Sequence, residues 1–373
     1  MAIDLRFSDE QKLIQDSARQ FFAQRCPPEL VRQYHNAADE FPDALWQEMA
    51  DLGWLGMAFA EDHGGLGMGL LDLIPIYIEM GRSLAPVPHL ETVMLCGGLI
   101  TALGSDEQKS SLLPAIAEGR LILAPALYGM NGLAGAANID LVGTPERDGF
   151  RLSGSAALVA NAGRAGWLLC AARTDDGESL FLVDAKDDAV HIERSTNIAS
   201  LPLYTISMEN LFVPAAGRLG AVGDAGPAIE EAMARCGVLV AAMVWGAGER
   251  VLDMTVGYAK DRAQFGTQIG KHQAVQYLIT NIAMESHHVG LLALQAAWLI
   301  DNGLPWRREA AFAKAAANHA AAHMTFCSHE VHAGIGFMGD YDLQLYTLRA
   351  KYWENVLGDT HQYLHQIAAD MLD

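Results

Sequence analysis

Element types follow one another in blocks along this chain. Helical periodicity fills roughly the first 120 residues, short extended runs fill about 121–222, and long helical stripes return from about 227. Segregation of this kind predicts an α+β chain, mostly α, or separate domains. A doubly wound sheet would need strand and helix in alternation. The expected divisions are 1–120 (all-helical), 121–222 (a small β-barrel) and 223–373 (a four-helix bundle).

Local signals support each block. Ser8 and Gln11 have capping-box spacing, with Asp9 and Glu10 in the first turn. Leu13, Ile14, Ala18, Phe21 and Phe22 then recur at helical spacing. Ser105-Asp106-Glu107-Gln108 reads as a second helix start. In the middle block, Asp148-Gly149 and Asp176-Gly177 lie between strand-like runs and predict hairpins. Strands about every ten residues predict a small barrel or sandwich. Beyond them, Val240, Val244, Ala247, Val251, Met254 and Tyr258 form one apolar helical stripe. Further helices are expected near 273–300, 305–333 and from Tyr341 onward. Four long helices with short connections predict a bundle.

Composition excludes several functions. Lys and Arg number 25 and Asp and Glu 45, a net charge of −20. That balance argues against nucleic acid or an anionic membrane as partner, though not against an anionic ligand met by local positive groups. The five cysteines are scattered and lack CxxC spacing, as expected for free thiols in a reducing cytosol. The N-terminus lacks the pattern of a signal peptide, and the run from Gly237 to Gly248 is too short to span a membrane. A cytoplasmic protein without membrane insertion is expected.

Two loops carry chemistry. Residues 261–273, Asp-Arg-Ala-Gln-Phe-Gly-Thr-Gln-Ile-Gly-Lys-His-Gln, offer a guanidinium, an aromatic ring and amides between two helices. Arginine binds phosphate bidentately, and a helix start favours anions. On pattern alone, an inter-helix loop with a salt bridge is the simpler reading. In Glu330-Val331-His332-Ala333-Gly334-Ile335-Gly336-Phe337, two glycines would let backbone amides approach a phosphate. A helix end with a tight turn fits equally. His319/His323 and His361/His365 have the i, i+4 spacing of metal ligands. No neighbouring carboxylate or cysteine completes either pair, so no metal is expected. The chain has no G-x-S-x-G or Walker loop.

Taken together, these stretches resemble the acyl-CoA dehydrogenase family over nearly the full length. Leu52-Gly53-Trp54-Leu55-Gly56, Gly64-Gly65-Leu66-Gly67, residues 79–86 and residues 104–109 follow the family pattern. Arg262-x-Gln264-Phe265-Gly266-x-x-Ile269-x-x-x-Gln273 closely matches its most specific motif. The resemblance implies FAD at a subunit interface, a homo- or heterotetramer, α,β-dehydrogenation of an acyl-CoA substrate, and a separate flavoprotein as electron acceptor. It assigns Arg262, Gln264, Phe265 and Gln273 to the FAD of a neighbouring subunit. It also places Gly334 and Gly336 under the pyrophosphate and Asn161 on the flavin side.

The departures are informative. Where the family has its catalytic Glu before a Gly-Thr, this chain has Leu357 before Gly358. The alternative family position, on the first bundle helix, is Cys236. Asp359 is the nearest acid and the candidate base, with Glu354 a weaker one. Asp359 equally suits a helix N-cap. The family's Trp-Ile-Thr/Ser-Asn becomes Leu158-Val159-Ala160-Asn161, and a common Gln becomes Glu330. The neighbour-facing contacts are kept better than the chain's own flavin face. This predicts one subunit of a heteromeric enzyme. A non-catalytic subunit completing a partner's site, or an oxidase or monooxygenase on the same fold, are the alternatives.

Overall fold

The computed structural model describes residues 4–36, 41–135 and 137–372. Helices α1 (Asp9–Arg25), α2 (Pro28–Asn36), α3 (Asp43–Asp51), α4 (Leu70–Ser83), α5 (Gly97–Leu103) and α6 (Asp106–Ala117) precede the strands. A π-helical stretch, His89–Cys96, runs directly into α5. Strands β1 (Leu123–Ala126), β2 (Val142–Glu146), β3 (Gly149–Ala160), β4 (Trp167–Thr174), β5 (Gly177–Asp184), β6 (Val190–Arg194), β7 (Leu203–Pro214) and β8 (Arg218–Leu219) follow. The chain then returns to helix in α7 (Gly226–Asp261). A two-stranded hairpin, β9 (Ala263–Gln264) and β10 (Thr267–Gln268), separates α7 from α8 (Gln273–Asp301). Helices α9 (Arg307–His332), α10 (Leu343–Trp353) and α11 (Thr360–Leu372) complete it.

Both expected helix starts form. Ser8 Oγ accepts from Gln11 N at 3.1 Å, and Gln11 Oε1 accepts from Ser8 N at 3.0 Å. The same reciprocal pair, Ser105 and Gln108, opens α6. Each box satisfies two backbone donors that a helix start leaves unpaired.

The chain divides into two compact units: Met1–Gln33, Gly69–Ala85 and Gly237–Asp373 in one, Tyr34–Met68 and Pro86–Cys236 in the other. In the first, α9 is the central helix and packs against α8, α10 and α11. Its Ala310, Ala311, Ala313, Ala317, Ala320 and Ala321 are buried. Short side chains at these positions let three neighbours approach closely. In the same unit α4 crosses α7 backbone to backbone. A Cβ on Gly81 would stand 1.9 Å from the Met243 carbonyl oxygen, and one on Gly246 would stand 1.8 Å from that of Ile78. No residue with a side chain fits either place.

The second unit holds the sheet. Both expected hairpins are present: β2 pairs with β3 and β4 with β5, each antiparallel. The expected small barrel does not form. The sheet is open, in the order β6-β7-β3-β2-β4-β5-β8, with β1 paired parallel to β4. Closure fails because the last strand, β8, has two residues and, among the described residues, pairs with β5 alone, leaving β6 at an edge. Leu168 through Ala172 of β4 and Ser179 through Val183 of β5 are buried without alternation. Continuous burial of this kind marks strands covered on both faces.

Candidate functional site

The hairpin after α7 gathers four of the expected residues. Phe265 and Gly266 form its tip with φ of 54° and 77°. Two successive left-handed residues are what a tight two-residue hairpin turn requires. This geometry holds the Phe265 ring almost wholly in solvent, 94 % exposed, with its edge toward His272. Arg262 is exposed at the base, where its carbonyl accepts from Ile269 N at 2.9 Å. Gln264 lies on the first strand, and Gln273 opens α8 with its amide 2.9 Å from the Tyr277 hydroxyl. A ring so exposed, beside a cation with no side-chain partner among the described residues, presents binding capacity outward.

The two glycines of the next loop differ in role. A Cβ on Gly336 would meet His329 Nδ1 at 2.8 Å, His332 Cβ at 3.2 Å and Leu343 at 3.2 Å, so packing requires this glycine. A Cβ on Gly334 would meet nothing, so its backbone stands open to an incoming group. Beneath the loop, His329 stacks on Phe337 and His332 on Tyr258. Burial lowers the pKa of both imidazoles and favours their neutral forms. Glu330 is exposed.

The loop from α10 to α11 carries the candidate base. Leu357, where the resemblance led to the expectation of a Glu, is 4 % exposed with φ 62°. Asp359 is half-buried and caps α11: its Oδ1 accepts from Gln362 N at 2.8 Å, while Gln362 Oε1 accepts from Asp359 N at 3.0 Å. Glu354 is ion-paired with Lys351 at 2.9 Å. Sequence reasoning missed what holds this loop. Lys314 of α9 is fully buried and donates to the Trp353 and Gly358 carbonyls at 3.1 and 3.2 Å and to Asn318 Oδ1. Tyr363 donates to the Leu357 carbonyl at 2.8 Å. Burial brings the Lys314 pKa down to about 7, and the charge of Asp359 opposes that fall. A lone lysine among alanines gives no sign of burial in the sequence.

In the sheet unit, Asn161 ends β3 in the left-handed conformation at φ 59°, and its N–H is bonded to the Pro202 carbonyl. A register shift between Ala156 and Val159 turns Leu158 outward, 42 % exposed at φ 55°. Neither Leu158 nor Ala160 offers a side-chain donor. Cys236 is buried in this unit; burial first, then the negative charge of Glu91, pushes its thiol well above the ordinary range. That carboxylate, carried on the π-helical stretch, was also missed.

Comparison with known proteins places the whole architecture. Residues 8–120 match the model for the acyl-CoA dehydrogenase N-terminal domain, and 225–372 that for its C-terminal domain. Acyl-CoA dehydrogenase FadE27 of Mycobacterium tuberculosis (strain ATCC 25618 / H37Rv) is 30% identical over 93% of each chain. Acryloyl-CoA reductase (NADH) of Anaerotignum propionicum is 28% identical over 99% of this chain and 96% of its own. A chain of the ChsE4-ChsE5 complex from Mycobacterium tuberculosis superposes with a TM-score of 0.91 at 27% identity, covering 100% of this chain and 99% of that one. The family's cofactor is FAD. The exposed Arg262 and Phe265 and the open Gly334 have chemistry that suits the diphosphate and adenosine half of that group. The chain belongs to the acyl-CoA dehydrogenase family of FAD-dependent oxidoreductases that act on acyl-CoA.

Proposed function

We propose that this chain is one subunit of a heteromeric acyl-CoA dehydrogenase. In this reading it holds the adenosine side of an FAD shared with a related chain, and that chain supplies the catalytic carboxylate. The carrying observation is an asymmetry. The outward-facing hairpin is fully presented, while both family base positions, Leu357 and Cys236, hold buried side chains that are not carboxylates. Exposed apolar residues spaced by seven along α8, Tyr277, Met284 and Leu291, support burial against another subunit.

The chemistry divides accordingly. When bound, FAD supplies the two-electron acceptor for α,β-dehydrogenation, and a separate flavoprotein then takes the electrons onward. Arg262 would hold a phosphate through paired N–H groups, Phe265 would stack on adenine, and Gln264 and Gln273 would fix the ribose side. Gly334 would let the backbone approach the pyrophosphate. α8 begins without a side-chain cap, which leaves its first N–H groups for an anion. The dehydrogenation itself needs a carboxylate on one face of the thioester to take the α proton.

A second reading keeps the base in this chain. Asp359 is half-buried and close enough to Lys314 to act on its titration, and only Oδ1 is engaged by the cap. The two readings separate by expression. The chain made alone should bind little FAD and show no dehydrogenase activity, and co-expression with a related chain should restore both. A yellow, active assembly of this chain alone would refute the heteromeric reading.

A further inference from the structure

The i, i+4 histidines of α9 find their missing third ligand on another helix. Glu285 of α8 places Oε1 3.2 Å from His323 Nδ1 and 3.7 Å from His319 Nε2. All three donor atoms lie within 4.8 Å of one another, and no other cluster of three His, Cys, Asp or Glu donors converges so among the described residues. The second nitrogen of His323, Nε2, lies 3.5 Å from Sγ of the buried Cys327, one turn further along. His319 is 67% exposed, so the cluster opens to solvent.

We propose that Glu285, His319 and His323 bind one borderline divalent cation of the zinc class, with water completing the coordination. A tetrahedral ion with metal–ligand bonds of about 2.0–2.1 Å holds its ligand atoms roughly 3.3 Å apart. The two observed separations, 3.2 and 3.7 Å, lie on either side of that spacing. Two imidazoles and one carboxylate suit zinc, cobalt, nickel or copper, whereas calcium and magnesium take oxygen ligands. The contact from Cys327 to Nε2 orients the ring so that Nδ1 faces the carboxylate, the service that outer partners give a metal-binding histidine. Without a metal, the same pair is joined by a hydrogen bond, which the ion replaces. The two helices pack along each other, so the site links α8 to α9.

Zinc chloride titrated calorimetrically into the intact, EDTA-treated and desalted protein tests this. One equivalent should bind, and His323→Ala or Glu285→Ala should each weaken binding by more than about tenfold. Cobalt(II) should give a visible ligand-field band that zinc abolishes. Variation of His361 and His365, the exposed pair on α11, should leave binding unchanged, and magnesium should not compete. Absence of zinc binding by the parent protein would overturn the proposal. Equal affinity in a folded His319→Ala/His323→Ala variant, verified by circular dichroism, would do the same.

Discussion

Lys314 Nζ, on a side chain with no solvent exposure, donates a 3.2 Å hydrogen bond to the carbonyl oxygen of Gly358. With the Trp353 carbonyl and Asn318 Oδ1 it has three acceptors, which matches the three hydrogens of an ammonium. Replacing it with Met should leave the Trp353 carbonyl and Asn318 Oδ1 without this donor in a buried place, while the Gly358 carbonyl keeps its 3.2 Å bond from Asn318 Nδ2. A loss of about 2 kcal/mol in urea unfolding is expected. Hydrogen exchange should quicken across 353–359 before it does elsewhere.

The same lysine gives a pH signature. Its folded pKa, about 7, lies below the ordinary lysine value of 10.5, so the unfolded chain holds more protons between those limits. This group's contribution therefore makes stability rise as pH increases from about 7 toward 10, and is flat below 7. In Lys314→Met that part of the slope should vanish. Unfolding midpoints of both proteins across this range check the sign.

Asp359 separates capping from catalysis. Asn keeps the cap, so Asp359→Asn should leave stability nearly unchanged, whereas Asp359→Ala should cost about 1 kcal/mol. If the base comes from the related chain, the Asn variant should stay within about twofold of parental turnover in the assembled enzyme. A loss of about 100-fold would assign the base to Asp359.

Arg262→Ala should not disturb the fold, since the side chain is exposed; a change within about 0.5 kcal/mol is expected. FAD content of the assembled enzyme should nevertheless fall by about tenfold, the worth of a charge-assisted phosphate contact. Arg262→Lys should restore little of it, because an ammonium cannot form the planar paired contact. Flavin absorbance per protein, measured after gel filtration, reads this directly.

Gly246→Ala should destabilise by about 3 kcal/mol, toward the upper end for overpacking, because the new methyl would overlap the Ile78 carbonyl oxygen. Gly257→Ala is the control: its Cβ meets nothing, and at this helical position a slight gain is expected. Thermal melts of the two variants should move in opposite directions.

Legibility in the sequence followed sequence distance. The caps at Ser8 and Ser105 and the turns before Gly149 and Gly177 are set within four residues, and each formed as expected. The pairing of β1 with β4 joins Leu123 to Trp167, and no local pattern announces it. The expectation of closure failed for the same reason, since it depends on which distant edges meet. At the site, the motif beginning at Arg262 was visible because its residues share one short stretch of chain, from the hairpin to the start of α8. The Lys314 contact with Gly358 and the approach of Glu285 to His319 and His323 arise only when helices pack. The capping role of Asp359 was readable, because Gln362 follows three residues later.

The glycine crossing of α4 and α7 also bears on how this chain can be cut. Residues 69–85 lie against residues 237–373 within one unit, although about 150 residues intervene. A fragment beginning at Gly237 would keep the metal-ligand cluster, the hairpin and the α11 cap. It would also carry an open groove at Gly246, shaped to the backbone of a helix it no longer contains. Supplying α4 as a separate peptide should therefore rescue such a fragment.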